Sequence, residues 1–406
     1  MKRVVYILLV IGLAMSACRL SATPTSTPLD SGANPIPSEF QATYDNLGDS
    51  LDKFIASLPQ QTGGQSPIFA AELASANGNI GEGLLRRPEA LTLVRQELDA
   101  LSDIGVQGVV VAIKFPLLEP GFPRSTDYLQ FYIQVATEIR QRGMKFLVEV
   151  GPVFSGTIYS PLDVDWSEYT EKSFLAAQQA ELVVIATEIQ PDYLQIANEP
   201  TTIETLTGFE INTDEYADFV QSTVQELGSL NGIILGAGTG TWEDPEYMEA
   251  LMTIQGLDSI NIHIFPIGRD GNLLQVAYET AQQAYTNGKR VVVSQSGLYK
   301  INSAELNELG TETATIYRRD AYSFFEPLDE KFIVALTLMS KAGDIEFISL
   351  FWTRNFFAYL DYQEVRTWSD TQVNRGMNQA FITALENGTL SPLGEFFKNW
   401  IDEQNR

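Results

Sequence analysis

Residues 192–200 read Asp192-Tyr193-Leu194-Gln195-Ile196-Ala197-Asn198-Glu199-Pro200: a short apolar strand that ends in an amide, a carboxylate and a proline. The same kind of strand recurs on both sides of it. Earlier in the chain, apolar runs lie near 67–73, 106–113 and 144–150; later ones lie near 232–237, 258–264, 289–294 and 345–352. Between them the apolar spacing changes to steps of three and four, which predicts helices. One such segment follows Pro88, carries Leu91, Val94, Leu98 and Leu101, and stops at Gly105. The next begins at Ser125 or Thr126, carries Leu129, Ile133, Ala136 and Ile139, and stops at Gly143. Ahead of the first strand, Phe40, Tyr44, Leu47, Leu51, Ile55 and Leu58 predict an amphipathic helix over 38–58 that closes or flanks the body.

Strands that are nearly continuous Val, Ile and Leu are buried on both faces, as in parallel sheets covered by helices. Eight of them alternating with helices predict a closed (β/α)8 barrel of the α/β class over residues 38–406. The competing doubly wound sheet would need a topological switch. No Gly-x-Gly-x-x-Gly turn and no phosphate-cradling Gly-Lys-Ser/Thr loop is present, so nothing points to a nucleotide.

In a (β/α)8 barrel the residues just past each strand form the active face. Here these are Asn198-Glu199-Pro200 after strand four, the glycine-rich run to Trp242-Glu243 after strand five, and His263-Ile264-Phe265 at strand six. Ser294-Gln295-Ser296-Gly297 ends strand seven, and Phe351-Trp352-Thr353-Arg354 ends strand eight.

Asn198-Glu199-Pro200 at the end of strand four resembles the acid/base motif of clan A glycoside hydrolases, the retaining (β/α)8 glycosidases. The resemblance spans most of residues 66–400 as architecture plus four or five positions. It implies that Asn198 contacts a sugar hydroxyl and that Glu199 protonates the leaving oxygen. It further implies that His263, the single histidine, lines the sugar site and that Trp352 floors it. Trp242, Trp166, Tyr159 and Tyr299 are further flat faces for a pyranose, with core or rim packing an equal reading of each. The stretch Ser391 to Trp400 reads as the last barrel helix.

The sequence departs from the family where the nucleophile belongs. Val291-Val292-Val293-Ser294-Gln295-Ser296-Gly297 is similar to the nucleophile segment, but Gln295 stands in the glutamate's place, and the next carboxylate downstream is Glu305. A neutral amide cannot form a glycosyl ester, and its lack of charge removes the repulsion that keeps the acid protonated. Phe265 stands near the place of a tyrosine that assists the nucleophile. Lys114 and Phe115 stand where the family has an arginine.

Three functions follow as expectations. The first is a carbohydrate-binding barrel that has lost ordinary retaining hydrolysis. The second is a working glycosidase with Glu199 as general acid. It would act by a substrate-assisted route oriented by Gln295, or by an inverting route with Glu72, Glu149 or Glu243 as base. An inverting pair needs carboxyls about 6.5–9.5 Å apart. The third is a scaffold that uses the barrel only as a rigid body.

Met1-Lys2-Arg3 and the apolar run Val4 to Met15 read as a secretory signal over 1–17, too short for a membrane span of roughly twenty residues. Met15-Ser16-Ala17-Cys18 resembles a bacterial lipobox, and Cys18 is the only cysteine, so lipidation of Cys18 is expected. A Ser/Thr/Pro-rich tether follows to residue 37. These features predict an exported protein attached to a membrane through its lipid alone. A net charge of −26 argues against nucleic acid and polyanions and leaves neutral oligo- or polysaccharide as the expected partner. One histidine and one cysteine leave no recognisable metal motif, and no cofactor is expected.

Overall fold

Eight strands pair in parallel and in chain order, and the eighth closes on the first. They are β1 (Ile68–Glu72), β2 (Gly108–Phe115), β3 (Lys145–Pro152), β4 (Tyr193–Gln195), β5 (Ile234–Gly240), β6 (Ser259–Ile264), β7 (Arg290–Ser296) and β8 (Ile345–Leu350). The expected (β/α)8 barrel is the fold. The computed structural model describes residues 35–404 apart from 60–64, 87, 229–231, 267–271, 303–304 and 306–312. The expected signal segment, Cys18 and the tether as far as residue 34 lie outside the described residues.

Helix ends follow local chemistry. The helices Glu89–Asp103 and Ser125–Gln141 are followed by Gly105 and Gly143, whose φ values of 87° and 68° favour a residue without a Cβ. The last helix, Pro392–Gln404, starts where the Ser391 hydroxyl accepts the Gly394 N–H at 3.2 Å. The first helix, Gln41–Ser57, lies against the helix Glu326–Ala342 that precedes β8. Its start is pinned on the side where β7 and β8 end. Phe40 packs on Phe324, Phe325 and Tyr362, and Thr43 bonds Asn302 and Glu305 beyond β7.

The interior is organised by the two-residue period of a strand. Ala70, Val110, Leu147, Tyr193, Val292 and Phe347 form an apolar plug inside the barrel. Two residues further along the same strands, on the same face, stand Glu72, Ala112, Glu149, Gln195, Ser294 and Ser349, all buried. The lining thus changes from apolar to polar as the strands approach their C-terminal ends. One irregularity adds to it. Asn261 pairs with Val292 but His263 pairs with Gln295, so β7 carries one extra residue against β6. Such a bulge re-aims side chains, and it brings Gln295 into the same hydrogen-bonded group as Ser294.

Candidate functional site

Beyond the C-terminal strand ends, Glu199 sits between β4 and the helix Pro200–Thr207 with φ +50°, a left-handed conformation unusual for a residue with a side chain. The turn is held by its own bonds. The Glu199 carbonyl accepts the Thr202 and Ile203 N–H groups at 3.0 and 3.1 Å. Glu243, beyond β5, accepts the N–H and hydroxyl of Thr201 at 3.2 and 2.8 Å. Pro200 begins the helix without wasting a donor.

The Glu199 carboxylate meets His263 Nδ1 at 2.5 Å. On the other side of the ring, His263 Nε2 lies 2.9 Å from Ser294 Oγ and 3.6 Å from Glu149 Oε2. Asn261 Nδ2 donates to Asn198 Oδ1 at 2.7 Å and lies 2.7 Å from Ser294 Oγ, which donates to Glu149 at 3.0 Å. The amide of Gln295 donates to the other oxygen of Glu149. This network runs without a break from β3 through β7 and β6 to β4.

Its electrostatics centre on one ion pair. Burial pushes Glu199 up, but the charge and hydrogen bond of His263 outweigh it and hold the carboxyl below its ordinary value. Burial pushes His263 down, and Glu199, helped by Glu149, outweighs it and holds the imidazole above its ordinary value. Glu199 is therefore ionised and His263 protonated over the weakly acidic range. Glu72 and Glu243 behave differently: burial raises both to about 7. Glu72 keeps a bond from the Asn77 amide, and Glu243 those from Thr201.

A cavity of about 530 Å³, counted out to its open mouth, is lined by Asn198, Glu199, His263 and Gln295 together with Glu149 and Lys114. Four of the residues read from the sequence thus converge. The aromatic ones do not. Trp352 lines two neighbouring cavities and packs on Phe351 and Tyr317. Phe265 is stacked on Tyr299 and flanked by Phe351 and Trp242, and Trp242 is 38% exposed at the rim. Tyr159 and Tyr299 both pack on Tyr317, while Trp166 lies among Phe115, Tyr169 and Phe174 outside the barrel. The rings that do line the cavity are Phe154 and Phe351.

Sequence reading gave no role to Phe154, Asn77, Asn79 or Asn261, and it named Phe351 and Ser294 only as residues at strand ends. For two of them a signal was present: Asn261 shares the inward period of β6 with Ser259 and His263, and Ser294 ends the run of three valines in β7. Among the described residues no group of three or more His, Cys, Asp or Glu side chains is arranged to hold a metal ion.

The fold is a closed (β/α)8 barrel, and its architecture is similar to that of solved glycoside hydrolases. The GH5_18 protein of Bifidobacterium longum subsp. longum superposes with a TM-score of 0.55 at 15% identity, over 84% of this chain and 79% of that one. A variant of it in complex with Manβ1-4GlcNAc gives 0.53 at 15%, over 83% and 78%. The exo-β-1,4-mannosidase of Opitutaceae bacterium strain TAV5 gives 0.53 at 12%, over 83% of this chain and 59%, less than two thirds, of that one. At these identities the likeness is one of architecture. No family model matches the sequence, and no curated protein matches it.

Proposed function

We propose that this chain is a carbohydrate-binding barrel of glycosidase type that no longer performs retaining hydrolysis. The observation that carries the reading is the pairing at the floor of the cavity. Where a nucleophile would end β7, the Gln295 amide is spent on Glu149, and the expected acid, Glu199, is spent on His263. A general acid must arrive protonated, and the His263 charge favours the opposite state.

The inverting route fares no better. Glu149 approaches His263 from the far ring nitrogen, so the imidazole stands between it and Glu199, where the attacking water would have to be. Glu243 is bonded to the Thr201 backbone and hydroxyl rather than facing the cavity mouth. A pocket with amides, a charged pair and two aromatic faces nevertheless suits the hydroxyls and C–H faces of a sugar. The ligand on this reading is an oligosaccharide, largely neutral because the chain carries −26. The lipobox-like Met15-Ser16-Ala17-Cys18 supports a lipoprotein held at a membrane outside the cytoplasm.

Calorimetric titration with Manβ1-4GlcNAc, mannobiose and cellotriose tests the reading, alongside chromatography of the same mixtures over several days. Binding without new reducing ends is the expected result. Release of sugar that disappears in Glu199→Gln would overturn it in favour of an enzyme, and failure of every sugar to bind would favour a scaffold. For the anchor, Cys18→Ser is expected to move the protein from the membrane to the soluble fraction.

A further inference from the structure

Lys114 ends the inward face of β2 and is only 8% exposed, yet it lines the cavity. Its stem is clamped: a Cβ placed on Gly78 would come within 2.9 Å of Lys114 Cβ and Cγ, so the lysine has no room to swing that way. Its ammonium lies 5.2 Å from the Phe154 ring centroid. Among the described residues it has no carboxylate within 4.0 Å and no hydrogen-bond acceptor. The other deeply buried lysine shows how this protein treats such a group when it is structural. Lys300 is fully buried and held between Asp320, at 2.8 Å, and Asp329. A buried ammonium without such partners is unfavourable.

The nearby carboxylates are already engaged. Glu199 is paired with His263, and Glu149 accepts Ser294 and Gln295. Glu72 accepts Asn77 and is raised by burial to about 7. Two donors accompany Lys114. Asn79 uses its oxygen for the Phe154 N–H at 2.9 Å, and Asn198 uses its oxygen for Asn261 at 2.7 Å. Both residues line the same cavity, and their amide nitrogens have no partner among the described residues. One ammonium and two amides form a donor set, which calls for an acceptor-only group.

We propose that the cavity takes a sugar bearing a single carboxylate, which binds at Lys114 with Asn79 and Asn198 beside it. The inference rests on the reading of the cavity as a sugar site and narrows the ligand class. It does not conflict with the acidic surface. A polyanion is repelled by the whole acidic surface, whereas one carboxylate inside the cavity meets the ammonium of Lys114, with Glu199 balanced by His263 and Glu149 held by Ser294 and Gln295, and exposed charges are screened beyond roughly 8 Å at physiological salt.

The test titrates the full-length protein with methyl β-D-glucuronide, methyl β-D-glucoside and acetate at physiological salt. The glucuronide is expected to bind about tenfold more tightly than the glucoside, the scale of one charge-assisted hydrogen bond. That preference should vanish in Lys114→Met and return in Lys114→Arg. Equal or tighter binding of the glucoside overturns the carboxylate inference and leaves the sugar site standing. Acetate binding as tightly as the glucuronide overturns it as well, because the site then reads an anion and no sugar. If none of the three binds, but the neutral oligosaccharides do, the inference fails alone; if those fail too, the sugar site falls with it. A preference that persists in Lys114→Met likewise overturns the role of Lys114.

Discussion

Glu199 and His263 hold each other's charge across 2.5 Å, at the point where β4 and β6 deliver their last residues to one cavity. Neither is free to act on a ligand as an isolated carboxyl or imidazole. Whatever enters the cavity meets the pair.

The pair sets a pH window. His263 is raised above 6.5, so its contribution to stability is complete below 6.5 and lost as pH climbs through the folded value. Glu199 is lowered below 4.5, so its contribution is present above 4.5 and lost as pH falls through the folded value. Stabilisation by the pair is therefore greatest between those two values. Glu199→Gln should cost about 2 kcal/mol in that window and drop the His263 pKa below 6.5, where burial places it. Because the chain has one histidine, a single imidazole resonance followed by NMR reads the shift directly.

Gln295→Glu should be destabilising by itself. The new carboxylate would face Glu149, replacing a donor–acceptor contact by two like charges. A loss of about 1–3 kcal/mol at neutral pH, smaller in acid, is expected from thermal melts. The exchange Gln295→Glu with Glu149→Gln restores one donor and one acceptor and should recover most of it. Any hydrolysis the exchanged protein gains should be confined to acidic pH, where Glu199 takes up its proton.

Glu243 carries the opposite pH signature. Its carboxyl is raised from 4.5 to about 7, so the folded state binds its proton more tightly than the unfolded chain. That contribution is fully present below 4.5 and is lost as pH rises through about 7. Glu243→Gln keeps an oxygen for Thr201 and removes the buried charge, so above pH 7 it should be more stable than the parent by roughly 2 kcal/mol. Glu243→Ala orphans the Thr201 N–H and should lose about 1–2 kcal/mol. Urea unfolding at pH 5 and pH 8 separates the two variants.

Phe351 and Trp352 should trade the roles that their chemistry suggests. Phe351 lines the cavity, whereas Trp352 faces the two next to it. Phe351→Ala is expected to weaken oligosaccharide binding about tenfold, and Trp352→Phe to leave it within about twofold, by titration calorimetry.

Much of the barrel was legible because strand burial is a local property. β2 is buried at every position, and its run of valines says so. Strand four was read over 192–197, but regular pairing covers only Tyr193–Gln195, since the chain then turns toward the left-handed Glu199. The site was legible in part for a different reason. Glu199, Asn198, His263 and Gln295 each end a strand, and position in the barrel brings strand ends together. What escaped the reading depends on register between strands. The extra residue in β7 that brings Gln295 beside Ser294 has no mark in Val291-Val292-Val293, nor does any spacing announce that Glu149 of β3 would meet Gln295 of β7. Phe351 and Trp352, adjacent in one strand-end loop, line different cavities, a division that no spacing in the sequence announces.

The packing of Phe40 and Thr43 fixes where the chain enters the barrel: on the face where the strands end, so that the first helix ties the segment beyond β7 and the helix before β8 into one wall.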